Sequence, residues 1–227
     1  MPSPPQVHLI QGIYTGTILP PDGYRPRAVE AFLGIPYAAS TAGPHRFRPP
    51  QPLPPSTESF SADALGPVCP ITDRYETVPA ASEDCLRVNI YRVRRGLSTA
   101  DCFGSPDSQE GGSETTSTAG PKLPVLIYVH GGAFNFGHGA DRDLATFVAF
   151  SRDDIVAVGF NYRLGCLGFL PSSVTESEGV LNLGLMDQQM LFGWVRDNIA
   201  AFGGDADDVT VMGVSAGAHS VSLIIPV

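Results

Sequence analysis

The chain has 227 residues, 43% of them hydrophobic and 16% charged, which is enough apolar material to bury the core of one substantial domain. A net charge of -9 comes with no basic stripe to displace counterions, which excludes a nucleic-acid backbone as a partner. The longest apolar runs fall far short of the roughly 20 residues that a helical membrane span requires.

In chain order, residues 7–14 and 29–33 are apolar and rich in β-branched side chains between Gly and Pro clusters, and read as early strands of a sheet. The proline-rich stretch 44–55 reads as extended surface loop. Residues 86–91 alternate Leu86, Val88 and Ile90 with Arg87, Asn89 and Tyr91, the pattern of a half-buried strand. Residues 98–120 are almost entirely Ser, Thr, Gly, Asp, Glu and Pro, which predicts a flexible insertion within a domain that otherwise covers 1–227. Residues 124–129 and 155–160 are continuous apolar runs, as expected of fully buried strands in a parallel sheet. Leu185, Met186, Met190, Leu191, Trp194, Val195 and Ile199 then recur at helical spacing, and the Gly203-Gly204 pair ends that helix. Residues 209–214 form a last short strand, and 216–225 begin a helix.

The strand–turn–helix order frames the sequence Gly213-Val214-Ser215-Ala216-Gly217, a G-x-S-x-G pattern in the context that a nucleophile elbow requires. A serine hydroxyl is a weak nucleophile at neutral pH, so it has to be presented on a tight turn with a base beside it. Directly after a buried strand stands His130-Gly131-Gly132-Ala133-Phe134, a loop whose backbone N–H groups can converge on one oxygen. Alone, a G-x-S-x-G reads more readily as a Gly-rich turn with a solvated serine, and the His130 loop equally well as a tight turn at a strand end; together they support each other.

On these motifs the sequence resembles the type-B carboxylesterase, lipase and cholinesterase family. The resemblance continues through Phe32-Leu33-Gly34-Ile35-Pro36-Tyr37-Ala38, Arg46-Phe47-Arg48-Pro49-Pro50, Ser82-Glu83-Asp84-Cys85-Leu86, Asn161-Tyr162-Arg163-Leu164-Gly165 and Phe202-Gly203-Gly204-Asp205. It implies the N-terminal portion of an α/β-hydrolase fold. Ser215 would be the nucleophile of a carboxylic-ester hydrolase, with an oxyanion hole from the N–H groups of Gly132, Ala133 and Ala216 and Gly131 shaping the loop. It also implies buried structural ion pairs Arg46–Glu83 and Arg163–Asp187, and a disulfide between Cys69 and Cys85 with Cys102 and Cys166 free. The four cysteines show neither a C-x-x-C pair nor zinc-ligand spacing. Residues 1–5 show neither the basic nor the apolar part of a secretory leader, so the expected location is the cytosol, where free buried cysteines are the alternative to that bond. No metal or cofactor is implied. Two departures from the family pattern stand out: Ala133 replaces a frequent glycine but keeps its N–H, and Val214 replaces a frequent acid before the nucleophile, which argues against a cationic substrate.

Acyl transfer by serine needs a histidine and a carboxylate to orient it, and in α/β-hydrolases both follow the serine in the chain. The twelve residues after Ser215 contain no carboxylate and only His219, which lies too close along the following helix to act as the base. His8, His45, His130 and His138 precede the serine and read as surface or loop residues. The expectation is a truncated chain of weak or no independent turnover, completed by a further segment or a second polypeptide. The competing reading is an inactive remnant, or a binding protein of the same fold.

Overall fold

The computed structural model describes residues 3–70, 80–94 and 121–224; the expected insertion at 98–120, and Cys102 with it, lie outside them. A small sheet is formed by β1 (Gln6–Leu9), β2 (Gly12–Thr15) and β5 (Ser59–Ser61), β2 pairing antiparallel with β1 and parallel with β5. The run 7–14 is therefore a hairpin and not one strand. Gly12, at φ +137, turns the chain where a side chain would be strained.

The main sheet comprises β3 (Thr17–Leu19), β4 (Val29–Pro36), β6 (Arg87–Val93), β7 (Leu123–Val129), β8 (Val156–Phe160) and β9 (Gly204–Gly213), in the order β3-β4-β6-β8-β7-β9. Pairing is antiparallel from β3 to β8 and parallel across β8, β7 and β9. The two continuous apolar runs, β7 and β8, pair in parallel as expected and β9 joins them, while the antiparallel strands β3, β4 and β6 make the sheet as a whole a mixed one.

Both faces are covered because successive strand residues point to opposite sides. On one side Ala31, Tyr91, Tyr128 and Ala157 pack against α1 (Leu144–Phe150), which contributes Leu144, Ala145, Val148 and Ala149. Asp143 caps α1, its carboxylate accepting from the Thr146 N–H at 2.9 Å. On the other side Phe32, Ile90, Ile127 and Val158 meet Leu191, Trp194 and Val195. These project from α4 (Leu183–Asn198), which follows the short helices α2 (Gly165–Phe169) and α3 (Ser173–Ser177). A 3-10 turn, Ile199–Phe202, and Gly203 at φ +79 end α4 where the Gly pair predicts. Helix α5 (Ala216–Ile224) closes the described chain beside β9. No described helix is long and apolar enough to cross a membrane.

Candidate active site

The two glycine-rich motifs meet because their strands are parallel neighbours. Val129, the last residue of β7, stands opposite Gly213, the last of β9, so the loop from His130 and the turn at Val214 leave the same end of the sheet side by side. That carboxyl end is where open α/β sheets place ligands.

Ser215 sits at φ +53 between β9 and α5, in the left-handed region that non-glycine residues rarely adopt, and its side chain is exposed. The turn is held by the Gly217 N–H donating to Val214 O at 2.8 Å. Its glycines are required by close approach. A Cβ on Gly217 would lie 2.2 Å from Val129 O, and one on Gly213 would lie 2.5 Å from the Gly217 carbonyl. A Cβ on Gly131 would lie 2.7 Å from Val214 O and 3.2 Å from the Ser215 Cβ, which measures how tightly the His130 loop rests on the elbow.

Gly132, Ala133 and Phe134 follow at φ +106, +51 and +60. This run of left-handed residues turns successive peptides, the kind of backbone that forms an anion-binding concavity. Among the described residues the N–H groups of Gly132, Ala133 and Ala216 donate to no acceptor. Ala216 heads α5, where the unsatisfied first-turn N–H groups favour negative charge.

His130 is a loop residue, one of the two expected settings, but it is fully buried and not at the surface. Its ring stacks on Tyr162 with centroids 4.2 Å apart, and its Nδ1 lies 2.8 Å from Gly131 O. A carbonyl only accepts, so Nδ1 carries the proton; Nε2, equally buried, has no partner among the described residues. Desolvation pushes the imidazole pKa down to about 4, despite the contact with Gly131 O. His130 is a neutral wall of the loop. The sequence hides this because Tyr162, the partner that encloses the ring, lies 32 residues away.

All five histidines are among the described residues, and none hydrogen-bonds to Ser215 Oγ. His219 is exposed one turn along α5, its backbone N–H donating to Ser215 O at 3.1 Å. Behind the elbow, Gln188 Nε2 donates to Ser220 Oγ and Ser220 Oγ to Ala216 O, each at 3.1 Å, tying α4 to α5.

Of the two ion pairs, Arg163–Asp187 is buried, with side chains 3% and 0% exposed. The Asp187 carboxylate accepts from Arg163 Nη2 at 2.6 Å, from Nε at 2.8 Å and from the backbone N–H at 3.0 Å. Burial pushes that carboxyl pKa up, against the lowering pull of Arg163. Arg46–Glu83 is corrected: the residues meet at 2.6 Å, but Arg46 is 50% exposed, because it follows the surface 3-10 turn Gly43–His45. Cys69 and Cys85 are joined as a disulfide, both buried, and Cys166 is free and exposed. Among the described residues no cluster of His, Cys, Asp or Glu could hold a metal ion.

A helix-flanked mixed sheet with a strained serine turn beside a glycine loop at its carboxyl edge defines an α/β-hydrolase. The chain belongs to the carboxylesterase family, whose model matches residues 3–226. It is 40% identical over 200 residues to secreted lipase 4 of Gibberella zeae, covering 87% of this chain and 32% of that one. With the para-nitrobenzyl esterase of Bacillus subtilis it shares 36% identity over 208 residues, 89% of this chain and 38% of that one. The solved structure of juvenile hormone esterase from Manduca sexta, with OTFP covalently attached, is 33% identical with a TM-score of 0.73, over 95% of this chain and 37% of that one. The chain thus spans about a third of the length of the curated relatives it matches.

Proposed function

We propose that Ser215 is the nucleophile of a carboxylic-ester hydrolase working through an acyl-serine intermediate. The observation that carries the reading is the contact of two motifs 85 residues apart in the chain: an exposed serine at φ +53 against a loop in which the Gly132 and Ala133 N–H groups donate to no described acceptor. Ser215 Oγ attacks the ester carbonyl, and the N–H groups of Gly132, Ala133 and Ala216 receive the oxyanion, with Gly131 giving the loop its close approach. Preorganised donors of this kind contribute more than any other single term to many acyl transfers. Covalent attachment of OTFP in the Manduca relative is in keeping with a covalent intermediate. Val214, 41% exposed beside the serine, offers an apolar neighbour where an acid would favour cations, so the substrate is an uncharged ester.

No described histidine reaches Ser215 Oγ, so base and acid come from outside the described residues, from a further segment or a second polypeptide. The 227 residues by themselves turn over weakly. The same observation favours a second reading, an inactive remnant or a binding protein on this fold. Quenching the native gene product during hydrolysis of a p-nitrophenyl ester separates them: the first reading requires the acyl mass on the Ser215 peptide, and the second requires its absence. The intact mass of that product, against the 24.0 kDa of this chain, tells whether base and acid are covalently continuous with it.

The Cys69–Cys85 bond and the secreted relative favour an oxidising compartment over the cytosol. Locating the native protein by fractionation decides between the two.

A further inference from the structure

The loop from His130 to Gly139 is held at its entry, middle and exit by one short segment, residues 161–165. At the entry the Tyr162 hydroxyl donates to His130 O at 2.8 Å, while its ring lies against the imidazole. In the middle the Gly165 N–H donates to Phe134 O at 2.7 Å. At the exit Asn161 Oδ1 accepts from the Gly139 N–H at 2.8 Å. Tyr162 is fully buried and Asn161 nearly so, so the entry and exit bonds are made away from competing water.

The loop needs such a clasp. Gly132, Ala133 and Phe134 all stand at positive φ, and no regular element stabilises a run of this kind, so surrounding groups must over-determine it. Asn161 extends the connection outward, its Nδ2 donating to Pro67 O at 3.0 Å and Cys85 O at 3.1 Å. The disulfide-bearing segment and the loop therefore share one side chain.

We propose that Tyr162 and Asn161 are positioning residues for the reaction at Ser215, fixing the His130–Gly139 loop so that the Gly132 and Ala133 N–H groups face the developing oxyanion. The inference rests on the reading of Ser215 as the nucleophile. Neither residue touches the reacting atoms; each acts through the loop backbone. Tyr162→Phe keeps the stacked ring and removes only the bond to His130 O, so the loop entry is freed while the core stays filled.

The test is the inactivation kinetics of the protein, expressed from its own gene with its own flanking sequence, by an alkyl fluorophosphonate. In that step Ser215 Oγ bonds to phosphorus, fluoride departs and the hydroxyl proton passes to base or solvent. Thr41→Val serves as the control, because it also removes a hydroxyl-to-carbonyl bond, Thr41 Oγ1 to Glu83 O at 2.5 Å, away from the loop. The expected result is a kinact lowered on the order of tenfold in Tyr162→Phe with KI within about twofold, a loss smaller than removing an oxyanion donor outright. Thr41→Val, with a comparable fall in Tm, keeps the wild-type kinact. If Tyr162→Phe inactivates at the wild-type rate, or if both variants slow in proportion to their Tm, the positioning role is overturned and the Ser215 reading stands. If the wild-type protein is not labelled at Ser215, that reading falls, and this one with it.

Discussion

Acid sensitivity of His130 follows directly from its burial. An imidazole held near pKa 4 in the folded chain and near 6.5 in the unfolded chain binds its proton earlier when unfolded. Folding is then fully favoured by this group above about pH 6.5, loses stability as pH falls through the window, and levels off below about pH 4. The whole shift is worth about 3 kcal/mol at 1.36 kcal/mol per unit, and most of it is spent between pH 7.5 and 4.5. The perturbation is His130→Phe, which retains a ring against Tyr162 but cannot titrate. Urea midpoints at the two pH values, for wild type and variant, give a difference of differences in which the remaining carboxylates and His138 cancel. Wild type should lose about 2–3 kcal/mol more than His130→Phe over that interval. Parallel pH profiles for the two proteins would refute the reasoning, since they would mean that the imidazole reaches water in the folded state.

Asp187→Ala leaves the Arg163 guanidinium buried with only Arg48 O at 2.7 Å, and should cost about 3–5 kcal/mol in a urea titration. Arg46→Ala, at the half-exposed pair, should move the midpoint far less; equal shifts would contradict the assignment of the two sites. Replacing Cys69 and Cys85 together by serine opens a loop with a sequence separation of 16 and should cost about 3 kcal/mol on chain-entropy grounds. An unchanged midpoint in reductant would show that the bond does not restrain the unfolded chain.

Much of the site was legible because its signals are local. The elbow could be read from Gly213-Val214-Ser215-Ala216-Gly217 set between an apolar strand and a helix; the helix stands where the pattern places it, and the strand ends there too but begins at Gly204, five residues before the apolar run. Buried strands such as β7 and β8 and the stripe of α4 were equally plain in their periodicity. The parallel pairing of β7 with β8 was legible in their continuous runs, whereas the antiparallel β6 on the other side of β8 was not, because both faces of β8 are buried whichever way its neighbours run. Helix α1 carried an unread signal: Asp143 as cap, then Leu144, Ala145, Val148 and Ala149 as one apolar face. His130 and the Asn161-Tyr162 clasp were illegible for a different reason. Their roles consist of contacts across the fold, and a polar residue in a glycine loop shows its burial only when the side chain that covers it is known. The exposure of Arg46 was hidden likewise, since a charge pair reads the same in sequence at a surface and in a core.

The central claim, that Ser215 is an activated nucleophile, is tested most directly by treating the native gene product with a fluorophosphonate and mapping the adduct by peptide mass. The account predicts one phosphonyl group on the peptide carrying Ser215, and none in Ser215→Ala. An unmodified serine in a protein whose melting transition shows it to be folded would contradict it.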